Sequence, residues 1–261
     1  MRIGGLFYSL LFTECGILAP GLPRSAFSPW WWNRMSRYFL GVCSGTGLVS
    51  VPTTISLLEI QRNLIASNHG VQCNIFSGAD IAVARNLLAQ AFIESGAEIF
   101  VGIDDDVGIS ADAFAAIDAG GHDCVTVIVP QRDLDLSGFA DRVRGGESDA
   151  QALRNAAPPH GLPPGQQEGF FPTERGTTSF YMVKRRVIEG LMDPVFTQQR
   201  CARTAQGMVS YWGFYNPGND ENGAYLSEDY SFFRRVRQSG VGIVAYYGPG
   251  LSHSGLQTYY T

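Results

Sequence analysis

Three acidic residues in a row, Asp104-Asp105-Asp106, follow an apolar run, Ile99 to Ile103, that reads as a β-strand. Side chains alternate along a strand, so Asp104 and Asp106 project to one side while Asp105 points elsewhere. Paired carboxylates at a strand end suit a hard divalent cation, Mg2+ or Mn2+, which in turn neutralises a diphosphate. Capping of a turn would account for one such aspartate, but it is a weaker account of three. An EF-hand does not fit, because the acids and glycine required beyond Asp106 are missing and the flanks are strand-like. A second acidic pair, Glu228-Asp229, follows Ser227 at the head of a stretch that reads as a helix to Gln238. Carboxylates are favoured there by the helix dipole, so decoration of a helix start is the alternative to a catalytic role. A lone histidine, His253, lies in the tail.

These residues need a scaffold, and the intervening pattern supplies one. Tyr38 to Cys43 reads as a strand that ends in Ser44-Gly45-Thr46-Gly47. Pro52 to Ser67 has apolar residues at largely helical spacing, with Pro52 suited to a first turn and Gly70 to the stop. Val71 to Phe76 is a second strand, and Asp80 to Ser95 a helix ended by Gly96, with Ile81, Ala84, Leu88, Ala91 and Phe92 as one apolar stripe. The strand Ile99 to Ile103 follows, then a short helix capped by Ser110, then the strand Cys124 to Val129. Alternating helices and near-continuous apolar strands predict an α/β fold, a single Rossmann-like domain with a mostly parallel central sheet. Ligands bind such sheets at the carboxyl ends of the strands, where both the glycine-rich segment and the aspartate triplet fall.

Residues 131–173 interrupt the pattern with Gly, Pro, Gln and Asp, and read as a flexible loop over the site or a disordered insertion. Thr178 to Val183 is a further strand, 193–225 is irregular and aromatic, and Val241 to Ala245 closes the sheet. The expected organisation is an N-terminal extension at 1–34, either disordered or an upstream translation artefact, and one domain at 35–261. Within that domain, 38–130 forms a nucleotide-binding half and 174–261 an acceptor and catalytic half. In the extension, the apolar run Ile3 to Phe12 is too short to span a bilayer, which takes about 20 residues, and Glu14 spoils a signal peptide. No transmembrane segment is expected, and Met35, just ahead of the first convincing strand, is the expected true start.

The 261 residues are 45% hydrophobic, which allows a large core and excludes disorder. A net charge of -5 and the lack of a basic block argue against nucleic acid as a partner. Lys184 is the sole lysine. The five cysteines, Cys15, Cys43, Cys73, Cys124 and Cys201, form no CxxC pair, and three lie in apolar strands. Reduced, buried thiols and a cytoplasmic location follow as expectations.

Taken together, several segments resemble the nucleotide-sugar-dependent glycosyltransferases of the A-type fold, and among them bacterial and phage members related to family 2. Cys43-Ser44-Gly45-Thr46-Gly47 with Val51-Pro52 and Leu57-Leu58 is similar to their opening, and Ala84-Arg85-Asn86 to their "ARN" helix. Ile103-Asp104-Asp105-Asp106-Val107-Gly108 is similar to their "IDxDIGF" strand end, and Leu226 to Arg234 to a late "LSEDYxFxxR" segment. Looser likenesses join Pro130 to Leu136 with "P-x-K-x-IDW" and Phe180 to Arg186 with "GFMLIRR". The likeness covers about residues 38–260, and its order and spacing are more specific than any one motif.

The resemblance implies a metal-dependent transfer of a sugar from a nucleoside-diphosphate sugar to a glycan, lipid-linked or other hydroxyl acceptor. It implies Ser44, Gly45, Arg85, Asn86, Asp104 and Asp105 near the nucleotide sugar, and Asp104, Asp106 and His253 on Mn2+ or Mg2+. Asp229 would be the general base of an inverting enzyme, with Glu228 positioning it or the acceptor. Tyr211, Trp212, Phe214 and Tyr215 are either an acceptor platform or core. The sequence departs from the family pattern at Asp105, where a small residue is usual, and at Thr178-Ser179, where a glycine-rich turn is usual. The 131–173 segment lacks the expected lysines, although Arg132 could substitute in charge. Two rival readings stand beside this one. A sugar-nucleotide pyrophosphorylase lacks its Arg after Gly-Thr and its downstream Lys here. A non-catalytic nucleotide- or glycan-binding relative is the other.

Overall fold

The computed structural model describes residues 7–12 and 36–255, except positions 79, 133, 157, 158, 160, 205 and 206. Phe7–Phe12 is β1 and Arg37–Ser44 is β2. Helix α1, Val51–Ala66, starts where Ser50 accepts the Thr53 amide and carries Pro52 in its first turn. Strand β3 is Gly70–Ser77, and α2, Ile81–Ser95, runs from an Asp80 cap to Gly96, which takes the left-handed conformation at φ 70°. Next come β4 (Ile99–Asp104), β5 (Val107–Ile109), α3 (Ala111–Ala119) capped by Ser110, and β6 (Cys124–Val127). The expected strands and helices of this half are all present.

The central sheet has the order β1-β3-β2-β4-β8-β6-β13-β7, completed by β7 (Gly169–Thr173), β8 (Phe180–Lys184) and β13 (Ile243–Tyr247). Strands β3, β2, β4, β6 and β13 run one way, so the sheet is mostly parallel, as expected; β1, β8 and β7 oppose them. Strand β8 is antiparallel for a local reason. After β7, which runs down to Thr173 opposite Ile243, the chain climbs back and enters β8 at the carboxyl edge, where the Asp104 amide donates to the Ser179 carbonyl at 2.9 Å. It can only run downward between β4 and β6.

Alternation along the strands divides the core in two. Tyr38, Leu40 and Val42 of β2 pack with Leu57, Ile60 and Leu64 of α1 and Phe114 and Ile117 of α3. Phe39 and Cys43 face the other way, with Leu88 and Phe92 of α2. Helices α6 (Arg185–Gly190) and α7 (Glu228–Gln238) cover that second face through Ile188, Phe232 and Val236.

The segment 131–173 corrects the expectation of a loop. It holds α4 (Leu136–Arg144), α5 (Asp149–Asn155) and the edge strand β7. Helix α4 buries no residue, and its one apolar stripe, Leu136, Phe139, Ala140 and Val143, is short and flanked by Gly, Pro, Gln and Asp. Residues 193–225 likewise contain structure: a hairpin of β9 (Gln199–Thr204) and β10 (Gly207–Trp212), and the short β11 (Gly218–Asn219) and β12 (Tyr225–Leu226). Strand β14 (Leu251–His253) pairs with β5. Of the extension 1–34, the described part is β1, which pairs antiparallel with β3; Met35 and Cys15 lie outside the described residues.

Two predictions follow from packing. A Cβ at Gly102 would sit 2.1 Å from the buried Tyr181 ring, whereas one at Gly45 meets nothing within 4 Å. Gly102→Ala should cost about 3 kcal/mol and Gly45→Ala less than about 0.5 kcal/mol, read by urea unfolding. Burial pushes the Cys43 thiol up to about 12 and that of Cys73 to about 11, and raises Cys124 as well. Cys201 is exposed. Among these four, alkylation at pH 8 should modify Cys201 in the native protein and the other three only on unfolding, as peptide mapping by mass spectrometry would read.

Candidate functional site at the carboxyl edge of the sheet

The aspartate triplet turns the chain from β4 into β5, and the turn is held from both sides. The Asp105 carbonyl accepts the Ser50 amide at 2.7 Å and the Thr53 hydroxyl at 3.1 Å; the same hydroxyl also donates to Val107 O. Asp105 thus enters the site through its backbone, anchoring the turn to the start of α1. On the far side, the Ser254 amide donates to Asp106 O at 2.7 Å, and the β14–β5 pairing sets His253 opposite Val107. The side chains of Asp104 and Asp106 then meet two different cations.

Asp104 meets Arg85. The guanidinium, 4% exposed, donates from Nη2 to Asp104 Oδ1 at 2.7 Å and from Nη1 to Glu228 Oε1 at 2.5 Å. One buried cation therefore ties the strand-end acid to the first residue of α7, and so unites the two acidic motifs. Burial alone would lower the Arg85 pKa, but Asp104 more than offsets it and the arginine stays charged. Burial raises the Asp104 carboxyl, and Arg85 pulls it back only in part. The next residue, Asn86, is fully buried and supports the same joint. Its side chain accepts the Tyr215 amide at 2.8 Å and donates to Asn216 Oδ1 at 2.9 Å. The hydroxyls of Tyr181 and Tyr215 are hydrogen-bonded at 2.7 Å, and Tyr215 stacks on Phe232 of α7.

Asp106 meets His253 and Arg132. Arg132 Nη1 lies 3.2 Å from Asp106 Oδ2, and its Nε donates to His253 Nε2 at 2.9 Å. The histidine Nδ1 lies 2.9 Å from the Pro130 carbonyl and donates to it. With Nδ1 protonated, Nε2 offers a lone pair to Arg132 in the neutral ring. A protonated ring would instead turn an N–H toward Asp106 Oδ1, 3.4 Å away. Asp106 does raise the His253 pKa against the opposing effect of burial. The shorter contact selects the neutral ring, with Nε2 as acceptor. Burial would raise the Asp106 carboxyl, but His253, when protonated, and Arg132 hold it below its usual value. Asp106 Oδ1 is buried and has no hydrogen-bond partner. Beside this group opens a cleft of about 400 Å3 lined by Val129, Pro130, Arg132, Thr177, Ser179 and His253.

The donor set fits a divalent cation in one respect and departs from expectation in another. An unpartnered carboxylate oxygen and an imidazole lone pair 3.4 Å apart can serve one ion. Asp104, expected on the metal, has its near oxygen committed to Arg85. Among the described residues no group of three His, Cys, Asp or Glu is arranged to hold a metal. The chain thus supplies two donors, and the rest of a Mg2+ or Mn2+ shell would come from water or phosphate.

The other expected residues are placed as follows. Ser44 is buried and shapes its turn: its hydroxyl donates to Leu48 O and accepts the Gly47 amide, leaving Gly45 exposed at the edge of β2. Asp229 is half-buried at the start of α7, where its Oδ1 accepts the Ser227 hydroxyl and the Tyr230 amide. Of the aromatic group, Tyr211, Phe214 and Tyr215 are core and Trp212 is half-buried against them. Three cleft residues were absent from the expected site: Arg132, Thr177 and Ser179. Arg132 was legible as a substitute in charge for the missing lysines and Ser179 as part of a departure from a glycine-rich turn, whereas Thr177 carried no signal.

No family model and no curated protein matches the chain. Among solved structures it is similar to A197 from STIV, at 15% sequence identity over 87% of this chain and 98% of that chain, with a TM-score of 0.42. Among the described residues no helix is long and apolar enough to cross a membrane.

Removing Arg85 would leave Asp104 and Glu228 facing each other without their cation. Arg85→Met should cost about 3 kcal/mol or more in urea unfolding. Adding Asp104→Asn and Glu228→Gln to that variant should recover much of the loss, since all three charges are then gone. A triple variant no more stable than the single one would show that shape, not charge, is what Arg85 contributes.

Proposed function

We propose that the chain is a metal-dependent glycosyltransferase of the A-type fold, moving a sugar from a nucleoside-diphosphate sugar to a hydroxyl acceptor with inversion. The observation that carries the reading is the buried Arg85 bridge, which puts the strand-end acid and the head of α7 in one site. Leaving-group and acceptor chemistry need such acids close together but in separate roles. The Ser44–Gly47 turn and the Asp104–Asp105 backbone edge receive the nucleotide. Asp106 and His253 would hold Mn2+ or Mg2+, which when bound supplies positive charge to the departing diphosphate.

Glu228, fixed by Arg85, orients the first turn of α7. Asp229 is the general base: its Oδ1 is held by the Ser227 hydroxyl and the Tyr230 amide, which fixes the rotamer and leaves Oδ2 for the acceptor proton. The acceptor is a glycan, a lipid-linked sugar or another hydroxyl compound, and the setting is cytoplasmic. The pyrophosphorylase reading finds no support at the site. The sole lysine, Lys184, lies at the other end of β8, bonded to Gly121 O and paired with Asp123.

The test is a screen of UDP- and GDP-sugars for slow hydrolysis with Mn2+. At least one donor is expected to be consumed, and folded protein that neither binds nor turns over any donor would remove the reading. Once a donor and acceptor are in hand, Asp229→Asn should lower transfer by about 100-fold or more while donor binding stays within a few fold. Loss of donor binding instead would make Asp229 a structural or metal-holding residue.

A further inference from the structure

We propose that Arg132 and a divalent cation are alternative occupants of the Asp106–His253 pair, with Arg132 neutralising the pair until the ion displaces it. The inference rests on the metal-dependent reading above and concerns how its cation enters. Asp106 Oδ1 is buried without a partner, and His253 Nε2 lies 3.4 Å from it. Both lone pairs therefore address one small space. Arg132 reaches the edge of that space with two nitrogens: Nη1 at 3.2 Å from Asp106 Oδ2, and Nε at 2.9 Å from His253 Nε2. A nitrogen lone pair that accepts an N–H bond is not free to bind a metal. A divalent ion at Nε2 would also stand against the positive guanidinium. Occupation by one excludes the other.

The two arginines of the site differ in what allows them to move. The Arg85 side chain is 5% exposed and grips two carboxylates, whereas the Arg132 side chain is 56% exposed. Arg132 can rotate into solvent without opening the core. Its backbone follows Pro130, whose carbonyl holds Nδ1 of the same histidine, so His253 keeps its tautomer when Arg132 leaves. Displaced, the guanidinium remains on the wall of the cleft as a cation for an anionic ligand.

Mn2+ binding without nucleotide tests the exchange, read from the loss of the free-ion EPR signal at fixed pH in the full chain. A unit charge about 4 Å from an ion in a solvated site changes affinity by about fivefold. Arg132→Gln should therefore bind Mn2+ at least about fivefold tighter than the natural sequence. Arg132→Ala should behave alike, which separates loss of the charge from any new contact of the glutamine amide. Equal or weaker Mn2+ binding by both variants overturns the exchange, as does the absence of Mn2+ binding in all three proteins. UDP and GDP binding in the same samples distinguishes this failure from that of the donor reading. Tighter Mn2+ without nucleotide binding upholds the exchange and removes the donor reading; nucleotide binding with equal Mn2+ affinities does the reverse.

Discussion

The structure depends on a buried cation shared between two carboxylates from distant parts of the chain. Arg85 comes from α2, Asp104 from the end of β4 and Glu228 from the start of α7, and the three are joined within hydrogen-bonding distance below the surface. An ion that deep is tolerated only when its charge and its N–H groups are met. The demand acts in both directions. Helix α2 must present Arg85 at the carboxyl edge, and α7 must begin where Glu228 can reach it. Asn86 then fixes the 215–216 segment, and Arg235 of α7 donates to the carbonyls of Phe214 and Asn216 on the same segment. Helix α7 is thus docked on the sheet by polar groups as well as by Phe232 and Val236.

The half from β2 to β6 was largely legible in the sequence. Its strands are apolar runs, its helices carry plain signals in Ser50, Pro52, Asp80, Gly96 and Ser110, and the aspartates fall where strand ends are expected. Local rules suffice there because each element is buried along one face. They fail in 131–173, where α4 is only nine residues long and its apolar stripe buries nothing and is flanked by Gly, Pro, Gln and Asp. They also fail for β8, whose direction is set by where the chain re-enters the sheet and not by its own residues. At the site, residue types identified the acids and the histidine, but not which cation each acid would meet. Pairing Asp104 with Arg85 and Asp106 with Arg132 joins positions 19 and 26 residues apart through tertiary folding alone. The family likeness placed Arg85 near a nucleotide, and its observed partners are carboxylates.

Charge at the carboxyl edge is arranged in two tiers. The lower tier, Asp104, Arg85 and Glu228, is buried, closed and permanent. The upper tier, Asp106, His253 and Arg132, borders the cleft and keeps one carboxylate oxygen without a partner. A fixed lower tier confines any change of ionic partner to the upper one, since breaking the lower would expose uncompensated charge in the core. The acids that look alike in the sequence are therefore divided by their partners, Asp104 tied to a buried arginine and Asp106 to an exposed one.

The pairing of β14 with β5 has a consequence for how the protein is made. A ribosome releases the chain from its amino end, so the sheet strands β2, β3, β4 and β6 are available long before His253. Until β14 emerges, Asp106 lacks its imidazole, and until α7 emerges, Arg85 lacks its second carboxylate. Any nascent chain short of these elements carries an unfinished charge arrangement, and one short of α7 also lacks Phe232 and Val236 from the core. The charge arrangement is therefore completed in two late steps, Glu228 with α7 and then His253 with β14.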